Sequence, residues 1–151
     1  MREILFRGKR VDNGEWTEGY FIYCKSEWED ESGRTAEIIP READRICKGE
    51  YYPYDVYEVD PETVGQFTGL TDKNGRRIFE GDIVDMTGEW WDASGPAGYN
   101  SPITSVKWDK YICGFSPFAN YDCDCGVYIE ASGCEVIGNI HDNPELMDGK
   151  A

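Results

Sequence analysis

The chain has 151 residues and carries 30 acidic against 15 basic side chains, a formal net charge of −15. That balance argues against a general nucleic-acid binder or a ligand of anionic membranes, because both need a basic patch, and its length predicts one compact domain with room for a small arm. Aromatic residues make up 14% of the chain, which favours strands over helices.

The opening MREILFRGKR has no apolar core of signal-peptide length, and no apolar run reaches the ~20 residues that a membrane helix needs. The expectation is a cytoplasmic protein whose six cysteines are reduced thiols. Ile4, Leu5 and Phe6 begin a strand. Val11-Asp12-Asn13-Gly14 holds an Asn-Gly pair, the strongest short hairpin signal, since both residues tolerate positive φ. Trp16 to Tyr23 reads as the return strand, so a hairpin is predicted over about residues 2–25.

Ser26 to Arg34 reads as an acidic loop, in which Trp28 among four acids is a candidate partner contact because aromatics are enriched at interface cores. Thr35 to Pro40 is a short strand centred on Ile38 and Ile39. Arg41 to Lys48 suits a helical turn, and Pro53 interrupts the aromatic run of Glu50 to Tyr54. Val56 to Val59 is a further strand.

The stretch from Val59 to Val84, VDPETVGQFTGLTDKNGRRIFEGDIV, is the densest in backbone signals. Asp60 is an N-cap with Pro61 at the first helical position, and Gly65 stops the helix after one turn. Gln66-Phe67-Thr68 is extended, and Asp72-Lys73-Asn74-Gly75 forms a second Asn-Gly turn. Gly81 supplies a tight corner into a strand at Ile83 and Val84. This stretch is expected to lead into a small β-barrel.

Thr87 to Ser101, with Trp90 and Trp91, has the composition of a long loop, a kind of segment that is usually functional or disordered. Ile103 to Trp108 alternates as one strand, with Thr104, Val106 and Trp108 on one face. Tyr111 to Phe118 continues the sheet as far as Pro117. Asn120 to Gly126 is irregular, and Val127 to Ile129 with Cys134 to Ile140 close the barrel. Asn143-Pro144-Glu145-Leu146 is a terminal turn. The division of the chain falls just before Val59.

Three blocks of these residues resemble the YopX family of phage- and prophage-encoded proteins. The first is Met1 to Arg7. The second runs from Val59-Asp60-Pro61-Glu62-Thr63-Val64-Gly65-Gln66 through Thr68-Gly69-Leu70 and Asp72-Lys73-Asn74-Gly75 to Glu80-Gly81-Asp82-Ile83-Val84. The third is Glu135 to Ile140 with Asn143 to Leu146. The resemblance implies a mainly β protein with an SH3-like barrel in the C-terminal part (59–146), an N-terminal β-hairpin or small sheet (1–58), few short helical turns and a tail (147–151). It implies no catalytic or cofactor residue, since the family has no established activity. The segments around Trp90-Trp91 and Tyr121 to Cys125 look like local elaborations.

Cys113, Cys123, Cys125, Cys134 and His141 lie close together in the sequence, but Cys123-x-Cys125 is not the two-thiolate knuckle of a zinc site, so free thiols are the expectation. His141 is the one histidine and has no cysteine-protease signature beside it. Phosphate-cradling glycine loops are absent. Asp60, Asp72, Asn74 and Asp82 could bind a cation, but each sits where a cap or turn already uses an Asx side chain. Trp90 and Trp91 are flanked by Glu89 and Asp92, which fits a protein contact better than a single-stranded nucleic-acid groove.

The reading of function is therefore a non-enzymatic protein-interaction module without metal or cofactor, with Trp28, Trp90 and Trp91 as candidate partner contacts. No direct nucleic-acid or membrane partner is expected, whereas self-association through the N-terminal hairpin is. Two alternatives stand beside it: an acidic decoy that blocks a host nucleic-acid site, and a small hydrolase or metal-binding protein.

Overall fold

The computed structural model describes residues 2–25, 34–41, 56–86, 103–118 and 131–148. These are mainly β, in antiparallel ladders joined by short 3-10 turns. The chain divides into two compact units, Met1–Phe67 and Thr68–Ala151.

In the first unit, β1 (Phe6–Lys9) and β2 (Trp16–Lys25) form the predicted hairpin, in register from Phe6↔Gly19 to Lys9↔Trp16. Its turn uses Asn13 and Gly14 as the sequence predicts. Gly14 has φ +73°, and the Asn13 Oδ1 accepts from the Glu15 N–H at 2.9 Å. β3 (Arg34–Pro40) pairs with β2 from Gly19↔Pro40 to Lys25↔Arg34. β4 (Tyr57–Glu58) joins β3 at Ile38 and Glu37. On the other side, β1 pairs with the start of β5 (Gly65–Thr71) at Gly65 and Gln66.

Successive side chains on a strand point to opposite faces, so this sheet has two different surfaces. Ala36, Ile38 and Val59 form the core of one face, with Phe6, Phe21 and Val64 packed against them. The Phe6 and Phe21 rings lie 5.5 Å apart, and Phe21 meets Tyr23 edge-on at 4.8 Å. On the opposite face the Arg7 guanidinium and the Lys9 ammonium lie 4.6 Å and 5.7 Å from the centre of the Trp16 ring. β2 and β3 approach so closely that Gly19 has no room for a side chain: a Cβ there would fall 1.9 Å from the Ile39 carbonyl oxygen.

The predicted single turn after Asp60 is a 3-10 turn, Pro61–Thr63, with the Asp60 carboxylate accepting from the Glu62 N–H at 3.0 Å. The Thr63 hydroxyl accepts from the Lys9 N–H at 2.8 Å, and the Val59 and Asp60 N–H groups donate to the Ala36 and Lys9 carbonyls at 2.9 and 2.8 Å. These bonds tie residues 59–67 to β1 and β3. The boundary therefore falls inside β5 rather than before Val59. Asp60→Ala should remove the cap and lower stability by about 1 kcal/mol in urea unfolding.

In the second unit, β6 (Arg77–Phe79) lies beside β5. β7 (Asp82–Asp85) is the centre of a three-stranded sheet, with β8 (Ile103–Ser105) on one side and β11 (Glu135–Asn139) on the other. β9 (Lys107–Asp109) and β10 (Gly114–Ser116) form a separate hairpin. Ile78, Val84, Met86, Val106, Phe115, Cys134 and Val136 make one buried cluster. The remaining 3-10 turns are Ala131–Gly133 and Pro144–Asp148.

Among the described residues these ladders do not close into a barrel, although the sequence predicts closure. One physical reason lies at Val106. The alternation from Ile103 to Trp108 predicts a single strand, yet the Val106 N–H donates to the Asp82 carbonyl and its own carbonyl accepts from the Gly81 N–H, both at 2.8 Å. Its peptide groups are committed to the Gly81 corner, so the run splits into β8 and β9 in different sheets. Gly81 has φ +87°, as that corner requires. β11 carries an irregularity between Val136 and Gly138 where it pairs with β7.

The helical turn predicted within 41–48, the aromatic run 50–54, the loop 87–101, the irregular segment 120–126 and the strand 127–129 fall wholly or almost wholly outside the described residues. Among those described, no helix is long and apolar enough to cross a membrane.

Candidate functional site

The polar residues of the Val59–Val84 stretch are the first candidates, because clustered Asx side chains could bind a cation. Asp72 is buried, and its carboxylate accepts from three backbone N–H groups: Asn74 at 2.8 Å, Arg76 at 2.9 Å and Val136 at 3.0 Å. Burial pushes its pKa up, but the three donors and the nearby Arg76 charge outweigh this and hold it below the usual carboxylate value. Beside it, Lys73 pairs with Glu135, whose carboxylate raises the lysine pKa.

Asp82 is fully buried and accepts from the Phe79 N–H at 2.8 Å. On β11, Asn139 is the ladder partner of Asp82, and its Oδ1 accepts from the His141 and Asp142 N–H groups at 3.0 and 2.9 Å. The Asn143 side chain fills the space beside Gly138, where a Cβ would lie 2.6 Å from its Oδ1. Asp60, Asp72, Asp82, Asn139 and Asn143 therefore clamp the backbone, as the sequence reading of the Asx residues in the stretch expects.

The cysteine and histidine set is spread over different settings. Cys134 lies in the apolar cluster of the second unit, Cys113 is exposed on the β9–β10 connection, and His141 is exposed. Cys123 and Cys125 lie outside the described residues, as do Trp28, Trp90 and Trp91. Among the described residues, no group of three or more His, Cys, Asp or Glu is placed to hold a metal ion.

What the fold does present is an aromatic hairpin. The four residues Lys110 to Cys113 connect β9 to β10, with the Asp109 carboxylate accepting from the Tyr111 N–H at 2.8 Å. Cys113 adopts φ +50° at the end of this turn. Trp108 is 49% exposed and Tyr111 is 85% exposed. Trp108 packs one edge on buried Phe115 at 5.1 Å, which anchors the ring while leaving half of it open. The Lys110 ammonium sits 5.0 Å from the centre of the Tyr111 ring.

This pair is missing from the residues singled out in the sequence. Alternation places Trp108 on the same face as Val106, and the break at Val106 cancels that placement. The local signal is charge: Lys107, Asp109 and Lys110 surround the aromatics, and such neighbours keep a strand in water.

A family model described as YopX protein matches residues 5–148. No curated protein matches the chain. Among solved structures, the crystal structure of protein EF1440 from Enterococcus faecalis is similar over 97% of this chain and 99% of that one, at 24% identity and a TM-score of 0.51. At that identity the likeness concerns the fold.

Proposed function

The chain belongs to the YopX family, and from that premise we propose that it is a non-enzymatic protein-interaction module, a phage or prophage accessory protein acting in the bacterial cytoplasm. The observation that carries this reading is the β9–β10 hairpin. It holds a half-open Trp108 and a largely open Tyr111 on a short ordered turn. Rigid aromatics with a buried anchor are the residues that dominate the energetics of protein interfaces. The clamping role of Asp72 and Asn139 supports it further, since both Asp72 carboxylate oxygens and the Asn139 Oδ1 accept from backbone N–H groups.

We read the second unit as an SH3-like architecture. Its short antiparallel strands around one apolar cluster and its sharp glycine corner support that reading. In such architectures the connections between strands carry recognition, and the β9–β10 turn is one of them.

The test is affinity capture from infected or lysogenic host cells with the full chain and with a Trp108→Ala/Tyr111→Ala double variant. A host protein retained by the wild type should fall at least about tenfold with the variant, since losing one interface anchor costs about 2 kcal/mol. Circular dichroism and thermal unfolding of the variant should remain close to wild type. Equal retention of every captured protein by both chains would remove this hairpin as the site.

A further inference from the structure

The sequence holds two Asn-Gly pairs, Asn13-Gly14 and Asn74-Gly75. Both are exposed at hairpin turns, and their glycines have positive φ, +73° and +77°. Such a pair carries its own reacting groups. The glycine amide nitrogen gives up its proton and attacks the asparagine Cγ, and no side chain on the glycine obstructs the approach. The Cγ–Nδ2 bond then breaks, and the nitrogen leaves as ammonia with that proton. Water opens the resulting succinimide at either carbonyl, giving aspartate or isoaspartate. This chemistry is the same at the two pairs. Their rates in the folded chain therefore differ by how often each turn opens far enough to close the ring.

In both turns the glycine N–H donates to a carbonyl at 2.9 Å, that of Arg10 for Gly14 and that of Asp72 for Gly75. This bond must be released before the nitrogen attacks, and what must move with it differs. On either side of Gly75, the Asn74 and Arg76 N–H groups donate to the Asp72 Oδ1 at 2.8 and 2.9 Å. The same buried carboxylate holds Val136 of β11 through its Oδ2, and the Lys73 N–H donates to the Cys134 carbonyl. Freeing Gly75 therefore disturbs a turn anchored to β11. At the other pair, the anchor is the bond from the Val11 N–H to the Glu58 carbonyl at 3.0 Å, and it precedes Asn13 and Gly14. The Asn13 side chain bonds only to Glu15: its Oδ1 accepts from the Glu15 N–H and its Nδ2 donates to the Glu15 carboxylate, both at 2.9 Å. The first of these sets a donor on the oxygen that gains negative charge as the ring closes.

We propose that Asn13 is a site of spontaneous deamidation in the folded protein, and that the Asp72 clamp protects Asn74 from the same reaction. The product undoes the contact that shapes its turn. The Nδ2 that donates to Glu15 becomes an acid oxygen, so two carboxylates take the place of a donor and its acceptor, with Asp12 as a third acid in the loop. Isoaspartate also lengthens the main chain by one carbon in the connection that sets the register of β1 on β2. Modification at Asn13 thus adds negative charge and loosens the hairpin of the first unit. It involves no residue of the β9–β10 hairpin, so either proposal can fail without the other.

Peptide mapping by mass spectrometry of the full chain, incubated in mildly alkaline buffer, reads both sites in one sample. Conversion of amide to acid shifts the mass of each peptide, and fragmentation assigns the residue. Asn13 should convert at least about tenfold faster than Asn74 in the folded chain. In chain unfolded with guanidinium the two rates should agree to within about twofold, since neither turn is then formed. Asp72→Asn should speed conversion at Asn74 at least about tenfold and leave Asn13 at its wild-type rate. Circular dichroism reports whether that variant folds; if it does not, the folded and unfolded wild type decide alone. Conversion of Asn74 as fast as that of Asn13 in the folded chain would overturn the proposal. So would a ratio as large in the unfolded chain, which would place the cause in the sequence rather than in the turns. An Asn13 that stays intact in the folded chain while the unfolded chain reacts to completion would overturn it as well.

Discussion

Asp72→Ala should destabilise the second unit by about 3–5 kcal/mol, because it leaves three backbone N–H groups without their acceptor, two of them at the turn and one on β11. Asp72→Asn should cost about half as much. Its Oδ1 still serves Asn74 and Arg76, but its NH₂ group meets the Val136 donor instead of accepting from it. The effect depends on pH with a defined sign. Asp72 has a folded pKa below its ordinary value of 3.8, so its contribution is complete above that value. As pH falls, the unfolded chain takes up the proton first, and the contribution is lost as pH passes through the lower folded pKa. Urea unfolding at pH 7, 5 and 3 should show wild type and Asp72→Asn converging toward the acid end. A constant gap between them across that range would mean that the carboxylate charge is not what holds the three donors.

Gly19→Ala should be comparably severe, at about 4 kcal/mol, for a steric reason. The new Cβ would lie 1.9 Å from the Ile39 oxygen, 2.8 Å from its carbonyl carbon and 2.9 Å from the Pro40 Cα. All three are backbone atoms, so no side-chain rotation relieves the contact and β2 must move away from β3. Gly14→Ala is the control. It has φ +73° but nothing within 4 Å, so only the left-handed backbone strain of about 1–2 kcal/mol applies. Urea unfolding ranks the two, and the amides of Tyr20 and Ile22 should lose protection in Gly19→Ala alone. Equal stabilities would show that the two strands are not packed at this separation.

The elements legible in the sequence are those whose cause is local. Asn13-Gly14, Asp60-Pro61, Asn74-Gly75 and Gly81 each dictate a backbone conformation within a few residues, and each forms where its chemistry predicts. Failures come from partners distant in sequence. Nothing near Val106 announces that its peptide groups will bond to Gly81 and Asp82, so one alternating run becomes two strands. Nothing near Val59 announces Ala36 and Lys9, so the segment that looks like the start of the second unit belongs to the first. The hairpin site inherits the first failure, because the exposure of Trp108 follows from the break at Val106. The Gly19 approach is equally hidden, since a glycine inside a strand does not name the backbone that crowds it.

The bond from Val136 to Asp72 has a consequence for timing during synthesis. Its partners are 64 residues apart, and the neighbouring bond from the Lys73 N–H to the Cys134 carbonyl spans a similar length of chain. The turn most characteristic of the chain is therefore written early and completed late. While the ribosome is still adding residues up to Cys134, the Asp72 turn can form only its two short-range bonds, and Ile78 and Val84 await the cover that Cys134 and Val136 provide. A transcript or protease cut that ends the chain before Glu135 would leave that apolar strip open in the nascent protein, an exposure that quality-control proteases recognise.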